Sequence, residues 1–83
     1  MRVLYFAWLR ERIGEGSETV TPPETVRTAR DLAGWLAQRS PAHGEAFADL
    51  SAIRVAIDQT QCDLDDPIAG AAEVAFFPPV TGG

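Results

Sequence analysis

The sequence predicts an α+β fold in which a mixed sheet of about five strands carries one main helix across one face. Apolar strand candidates lie near both ends of the chain, at residues 2–8 and 73–77, and one long amphipathic segment lies between them. The 83-residue length fits one domain, and the 46% hydrophobic content is ordinary for a globular protein. We expect a single domain over residues 1–83 with a flexible C-terminal tail over residues 78–83.

The N-terminal third predicts two strands. Arg2–Trp8 is apolar on both alternating faces, which is typical of a central strand covered on both sides. Leu9–Ile13 is a short polar turn, or one turn of helix, and glycines follow it. Ser17–Thr21 alternates weakly and runs into two prolines. Because proline cannot donate to a ladder, this segment is interpreted as an edge strand.

The middle of the chain predicts the main helix. Thr28 followed three residues later by Asp31 fits a capping box, and the next apolar residues recur at helical spacing. We expect a helix over Ala29–Arg39 that Pro41 stops, because the residue before a proline is pushed out of the helical region. Gly44–Leu50 is expected to add a short helical turn.

The C-terminal part predicts two or three further strands. Ile53–Ile57 alternates, Asp58–Thr60 is interpreted as a turn, Gln61–Leu64 is a possible short strand, and Glu73–Phe77 is the last strand. The first and last strands are the most apolar, so we expect them to be neighbours at the centre. This element order is that of a β-grasp, or ubiquitin-like, domain, although periodicity alone leaves ferredoxin-like and other small α+β folds open.

Charge and composition limit the functions available. The net charge of −5 argues against a nucleic-acid partner and favours a basic protein partner. No apolar stretch approaches the roughly 20 residues that span a bilayer, and no signal peptide is visible, so we expect no membrane association and a cytoplasmic location. The single cysteine, Cys62, excludes a disulfide framework and a multi-cysteine zinc site.

All seven basic residues are arginine. Composition bias explains this most simply, since alanine occurs 13 times. The alternative is that a chain with an activated carboxyl terminus benefits from having no internal amine that could attack it.

The last strand leads into an uncharged tail. Strand alternation should send Val74 and Phe76 into the core beneath the helix and leave Phe77 near the surface, although both rings could also be core. Pro78 and Pro79 cannot extend the ladder and favour an extended conformation. Phe77 and these prolines are therefore our candidates for binding a partner.

The final residues, Val80, Thr81, Gly82 and Gly83, make a narrow arm that ends in a main-chain carboxylate. A carboxylate must be activated, for instance by adenylation, before a nucleophile can displace its oxygen. The chain has no phosphate-binding glycine motif, so a separate nucleotide-binding enzyme is required.

Three segments carry a resemblance to a known family. The end motif, Phe-Phe-Pro-Pro-Val-Thr-Gly-Gly at residues 76–83, resembles the C-terminal signature of the small, sulfur-carrier subunit of molybdopterin synthase, a ubiquitin-like protein. Residues 3–11 resemble that family's first strand and turn. Residues 55–59 resemble its middle strand, where an asparagine commonly stands at the position of Asp58.

The resemblance implies a mechanism and partners. An adenylating enzyme related to the ubiquitin activators would use ATP to activate Gly83, and a sulfur donor system would convert the adenylate to a thiocarboxylate. Val80, Thr81 and Gly82 would thread into the large, catalytic subunit, where the sulfur builds the dithiolene of molybdopterin on cyclic pyranopterin monophosphate. The chain would bind no cofactor or metal and would not be catalytic alone. It would act as the sulfur-donating subunit of a heterotetramer.

Other residues invite weaker interpretations. Cys62 has no neighbouring base in sequence, so it is expected to be a small buried hydrophobe rather than a nucleophile. His43 is expected in a solvated loop. The aspartates at 63, 65 and 66 lack EF-hand spacing and are expected in a solvated turn, and Trp35 is expected in the core or at its rim.

Two alternative functions stay open. The chain could be a carrier for another pathway, such as thiazole synthesis or protein conjugation, to which the Phe-Phe-Pro-Pro stretch is less well suited. It could also be an interaction module with an inert tail. A free-standing enzyme is the weakest interpretation, because no triad, paired carboxylates or metal cluster can be assembled from the sequence.

Overall fold

A computed structural model describes residues 1–79 and confirms the α+β, β-grasp prediction. The sheet has five strands in the order β2-β1-β5-β3-β4. β1 and β5 are parallel, and the other neighbouring pairs are antiparallel. The elements are β1 (Arg2–Tyr5), α1 (Trp8–Ile13), β2 (Ser17–Thr19), α2 (Ala29–Leu36), α3 (Pro41–Ala46), a 3₁₀ turn (Leu50–Ala52), β3 (Arg54–Ile57), β4 (Thr60–Cys62) and β5 (Glu73–Phe77).

The two most apolar strands are neighbours, as predicted, and β5 is the central strand. Alternate residues of the sheet point to one face, which we call the closed face because the helices cover it. Five of its side chains are at most 1% exposed and form one core cluster with the helices; they are Val3, Tyr5, Val55, Val74 and Phe76. Burial of this apolar surface is the main force that holds the helices on the sheet.

The main helix, α2, begins as the sequence predicts. The Thr28 hydroxyl accepts a hydrogen bond from the Asp31 backbone N–H at 3.1 Å, and the Asp31 carboxylate accepts one from the Thr28 N–H at 3.3 Å. These two bonds complete the capping box. The apolar stripe of α2 is fully buried, but the helix ends at Leu36 rather than at Arg39.

Helix α3 corrects the role given to Pro41. The proline occupies the first turn of this new helix, where its missing N–H costs nothing. The Ser40 hydroxyl caps the same end by accepting a hydrogen bond from the His43 N–H at 3.2 Å. Ser40 and Pro41, which were expected to stop α2, start α3 instead, three residues before the predicted helical turn at Gly44–Leu50.

Strand β1 is shorter and more open than predicted. It ends at Tyr5, and only alternate residues are buried, because no helix within residues 1–79 covers the other face of the sheet, which we call the open face. Ala7 then takes φ 54° and ψ −132°, a backbone conformation that residues with a side chain rarely adopt. This bend turns the chain directly into α1.

A two-residue turn joins β3 to β4. Asp58 and Gln59 have φ values of 47° and 71°, as a tight hairpin turn of this kind requires. One carboxylate oxygen of Asp58 accepts hydrogen bonds from the backbone N–H groups of Ala72 and Glu73, both at 3.0 Å. Asp58 therefore fixes the first residue of β5, which lies at the end of the strand that is farther from the tail.

Candidate functional site

The candidate site lies where β5 ends. Tyr5 of β1 is opposite Phe76, and Arg54 of β3 is opposite Phe77, so the strand is hydrogen-bonded between both neighbours up to its last residues. The strand stops at Phe77 because the next two residues are prolines. Pro78 and Pro79 are half-buried. The predicted site residues Val80, Thr81, Gly82 and Gly83 lie outside the described residues.

The two phenylalanines of β5 separate as the alternation predicts. Phe76 is fully buried on the closed face, where its ring meets that of Phe47 edge-on at a centroid distance of 5.1 Å. Phe77 points to the open face and is half-buried. The interpretation that both rings are core is therefore wrong, and Phe77 keeps surface that a partner can reach.

Phe6 is a site residue that the sequence interpretation missed. Its backbone N–H donates to the Phe76 carbonyl at 3.1 Å, which continues the β1–β5 register and sets Phe6 beside Phe77. The Phe6 side chain is 48% exposed, the largest exposure of any big apolar side chain in residues 1–79. Phe6 alternates with Tyr5 along β1, and this alternation could have shown that the two side chains point to opposite faces. The uniformly apolar run around them concealed it.

Phe6 and Phe77 lie within a larger apolar surface on the open face. By the strand registers, we define this open-face patch as Leu4, Phe6, Ala56, Ala75 and Phe77. Arg54 borders the patch directly beside Phe77, whereas Arg2 and Glu73 border it at the opposite end of the strands. An apolar patch with a charged rim is typical of a protein-binding surface.

A polar cluster lies on the closed face, and it shows that the prediction for His43 is wrong. This residue is 8% exposed rather than solvated. Its Nε2 atom lies 2.6 Å from a Glu18 carboxylate oxygen, and the Tyr5 hydroxyl donates to the same oxygen at 2.7 Å. Arg39 approaches the other oxygen of Glu18 at 3.4 Å.

The cluster shifts the pKa of two of its members. Burial, followed by the hydrogen bond to Glu18, raises the pKa of Tyr5 far above its ordinary value. For Glu18, burial acts to raise the pKa, but the hydrogen bonds from His43 and Tyr5 outweigh it and the pKa is lowered. Every polar group in the cluster has a partner, so we interpret it as structural, joining β2 to α3.

Within residues 1–79, Cys62 and the aspartates near it are the remaining candidate residues. No three His, Cys, Asp or Glu side chains in that range come together to hold a metal ion. Burial, with contributions from Asp66 and Asp63, raises the pKa of the half-buried Cys62 thiol. No helix in the same range is long and apolar enough to cross a membrane.

The fold and the exit of the central strand define a ubiquitin-like β-grasp protein, and a solved structure agrees with this class. SAMP1 from Haloferax volcanii superposes with a TM-score of 0.74 at 28% identity, over 100% of this chain and 98% of that one. The sequence matches the ThiS family over residues 3–83.

Two curated relatives are similar over the full length of the chain. The molybdopterin synthase sulfur carrier subunit of Mycosarcoma maydis is 39% identical over 100% of this chain and 92% of its own length. The protein of that name from Escherichia coli (strain K12) is 37% identical over 100% of this chain and 99% of its own. The chain therefore belongs to the ThiS family, and its similarity to molybdopterin synthase sulfur carrier subunits confirms the resemblance carried by the tail motif.

Proposed function

We propose that this protein is the sulfur carrier subunit of a molybdopterin synthase. The observation that carries the proposal is the position of Phe77, which ends the central strand within the open-face patch, beside the exposed Phe6, and leads directly into the tail motif. The full-length similarity to relatives that bear this name supports the same conclusion. The partner implied by the name is the large, catalytic subunit of the synthase.

The chemistry that we propose takes place at the main chain. The Gly83 carboxylate attacks the α-phosphorus of ATP on a separate adenylating enzyme, and pyrophosphate leaves. A sulfur donor then displaces AMP, so that one carboxylate oxygen is replaced by sulfur. The thiocarboxylate sulfur finally bonds to a carbon of cyclic pyranopterin monophosphate, and water then hydrolyses the acyl–sulfur bond, which regenerates the Gly83 carboxylate and leaves the sulfur on the pterin. The thiocarboxylate is a soft anion, and its delivery requires a confined site that is shielded from bulk water.

Docking on the large subunit uses the residues that precede the tail. The open-face patch would bury Phe77 and Phe6, while Pro78 and Pro79 keep the outgoing chain extended and limit the entropy lost on binding. Val80, Thr81 and Gly82 would then thread towards the active site. The net charge of −5 suits a large subunit whose pocket is basic because it binds a phosphorylated pterin. We propose that the two subunits assemble as a heterotetramer.

Intact mass spectrometry tests this proposal. Incubation with the adenylating enzyme, ATP and a sulfur donor should add about 16 Da, because sulfur replaces one oxygen at the terminus. Deletion of Gly83 should abolish both this gain and sulfur transfer to the pterin while leaving thermal unfolding unchanged, since a glycine contributes no side chain to the core. A truncated chain that still supports transfer would contradict the proposal.

A matched assay separates this function from the alternative pathways. The thiocarboxylated protein is mixed with a molybdopterin synthase large subunit and the pterin substrate, and in parallel with a thiazole synthase. Sulfur transfer in the first reaction alone is the expected result. Transfer only in the second would show a carrier for thiazole synthesis.

A further inference from the structure

The side-chain cations of this protein include no primary amine. Its seven basic side chains are all guanidinium groups, which stay protonated at any pH that proteins tolerate and are therefore not nucleophiles. Several of them make contacts suited to a planar cation. Arg30 bonds Asp65 through two nitrogens at 2.7 and 3.4 Å, and Arg12 lies 5.0 Å from the centre of the Trp8 ring.

The α-amino group of Met1 is the one primary amine within these 83 residues, and the fold engages it. It is partly buried and donates a hydrogen bond to the Val20 carbonyl at 3.1 Å. The Val20 N–H returns a bond to the Met1 carbonyl at 2.9 Å, so both ends of the contact are fixed. These two bonds hold the amine in place beside Val20 and limit how far it can move towards a carbonyl.

The remaining soft nucleophile is also restrained. Cys62 borders a cleft of about 510 Å³, so reagents can approach it, but its Sγ atom lies 4.0 Å from the Val55 carbonyl in donor geometry. Burial and the nearby carboxylates of Asp66 and Asp63 raise the pKa of the thiol. Because the thiolate is the reactive form, the protonated thiol is a poor nucleophile.

We propose that the body of this protein is a poor acyl acceptor, which carries an activated Gly83 carbonyl without offering it a lysine amine or an unrestrained thiol. The inference rests on the proposed function, because it concerns the activated terminus. Its consequence is that one copy cannot acylate another, or itself, and the activated group survives until the sulfur donor arrives.

The reaction that is avoided is a simple acyl transfer. A neutral amine nitrogen attacks the Gly83 carbonyl, an amide bond forms, and the leaving group departs with its bonding electrons while the nitrogen loses a proton to water. The amide is stable, so each such event would remove a carrier permanently. Replacing one arginine by lysine keeps the positive charge and supplies the missing nucleophile.

A chain prepared with a chemical thioester at Gly83 tests the inference without any enzyme. Arg54→Lys places an amine beside Phe77, and the six residues that follow Phe77 can span up to about 20 Å. Arg2→Lys is the matched control, since Arg2 is paired with Glu73, four residues further back along β5. Intact mass distinguishes acid formed by hydrolysis from a cyclic amide, which is lighter by one water molecule.

We expect the folded wild-type chain to hydrolyse with only a trace of cyclisation. Arg54→Lys should form the cyclic amide about tenfold faster than the wild type, and Arg2→Lys should form less of it, because the effective concentration falls with distance. Unfolding the wild type in urea should release Met1 and Cys62 and produce cyclised chain. Equal cyclisation of folded and unfolded wild type, or none in Arg54→Lys, would overturn the inference. Because the thioester is installed chemically, neither result depends on enzymatic adenylation of Gly83.

Discussion

The two faces of the sheet use the same strands for different purposes. On the closed face, Tyr5 and Phe76 are at most 1% exposed and pack against the helices. On the open face, their immediate neighbours Phe6 and Phe77 remain accessible to solvent. One step along the strand therefore separates a residue that maintains the fold from one that is available to a partner. Substitutions on the two faces should consequently affect different measurements.

The largest expected effect lies on the closed face. Phe76→Ala should lower the free energy of unfolding by about 3–5 kcal/mol, because it removes a fully buried ring and leaves a cavity. Urea denaturation measures this loss. Phe6→Ala is the matched control, since the same side chain is removed from an exposed position on the adjacent strand, and we expect it to cost about 1 kcal/mol or less. Equal losses would mean that the two faces do not differ in the way described.

The next effect concerns the open face and a binding measurement. Phe77→Ala should raise the Kd for the large subunit about 30-fold, equivalent to about 2 kcal/mol, because it removes the aromatic anchor beside the tail. Isothermal titration calorimetry on the purified subunits would measure it.

Thr19→Ala provides the control on the same face, because Thr19 is exposed on the edge strand beside Arg2. It should leave the Kd unchanged. An unchanged Kd for Phe77→Ala would remove this residue from the partner-binding surface and leave the open-face patch without a demonstrated role.

The smallest effect concerns the polar cluster of the closed face. The pKa of Glu18 is lowered in the folded protein, so its contribution to stability is complete above its ordinary value of 4.5 and is lost as the pH falls through the lower, folded value. The Tm of the wild type should therefore decrease more steeply in acid than that of Glu18→Gln. The exposed Glu24→Gln serves as the control, and its pH profile should match that of the wild type. Parallel profiles for Glu18→Gln would show that the cluster does not stabilise the ionised carboxylate.

The sequence predicted those features that depend on short-range patterns. The capping residues Thr28 and Asp31 located the start of α2, and strand alternation separated Phe76 from Phe77. The central pairing of β1 with β5 followed from their apolar composition. The tail residues 80–83 were singled out by motif alone, and their assignment as the reactive segment stays a prediction.

The features that sequence reasoning missed depend on contacts between distant residues or on backbone conformation. His43 is buried because it meets Glu18, which is 25 residues away in the chain and carries no local signal of that pairing. The bend at Ala7 leaves Phe6 accessible, yet alanine is an unusual residue at a positive φ, so no composition rule indicates it. Both features are consequences of tertiary packing that overrides local preference.

The parallel pairing of the first and last strands also determines how the protein responds to mechanical load. A pull between the start of β1 and the end of β5 acts along the strands in opposite directions. The four registered residue pairs, from Arg2 with Glu73 to Tyr5 with Phe76, then bear the force together in shear. A hairpin pulled from its open end would instead lose its bonds one at a time. An enzyme that pulls on the terminal segment therefore loads the sheet in the direction in which it resists force best.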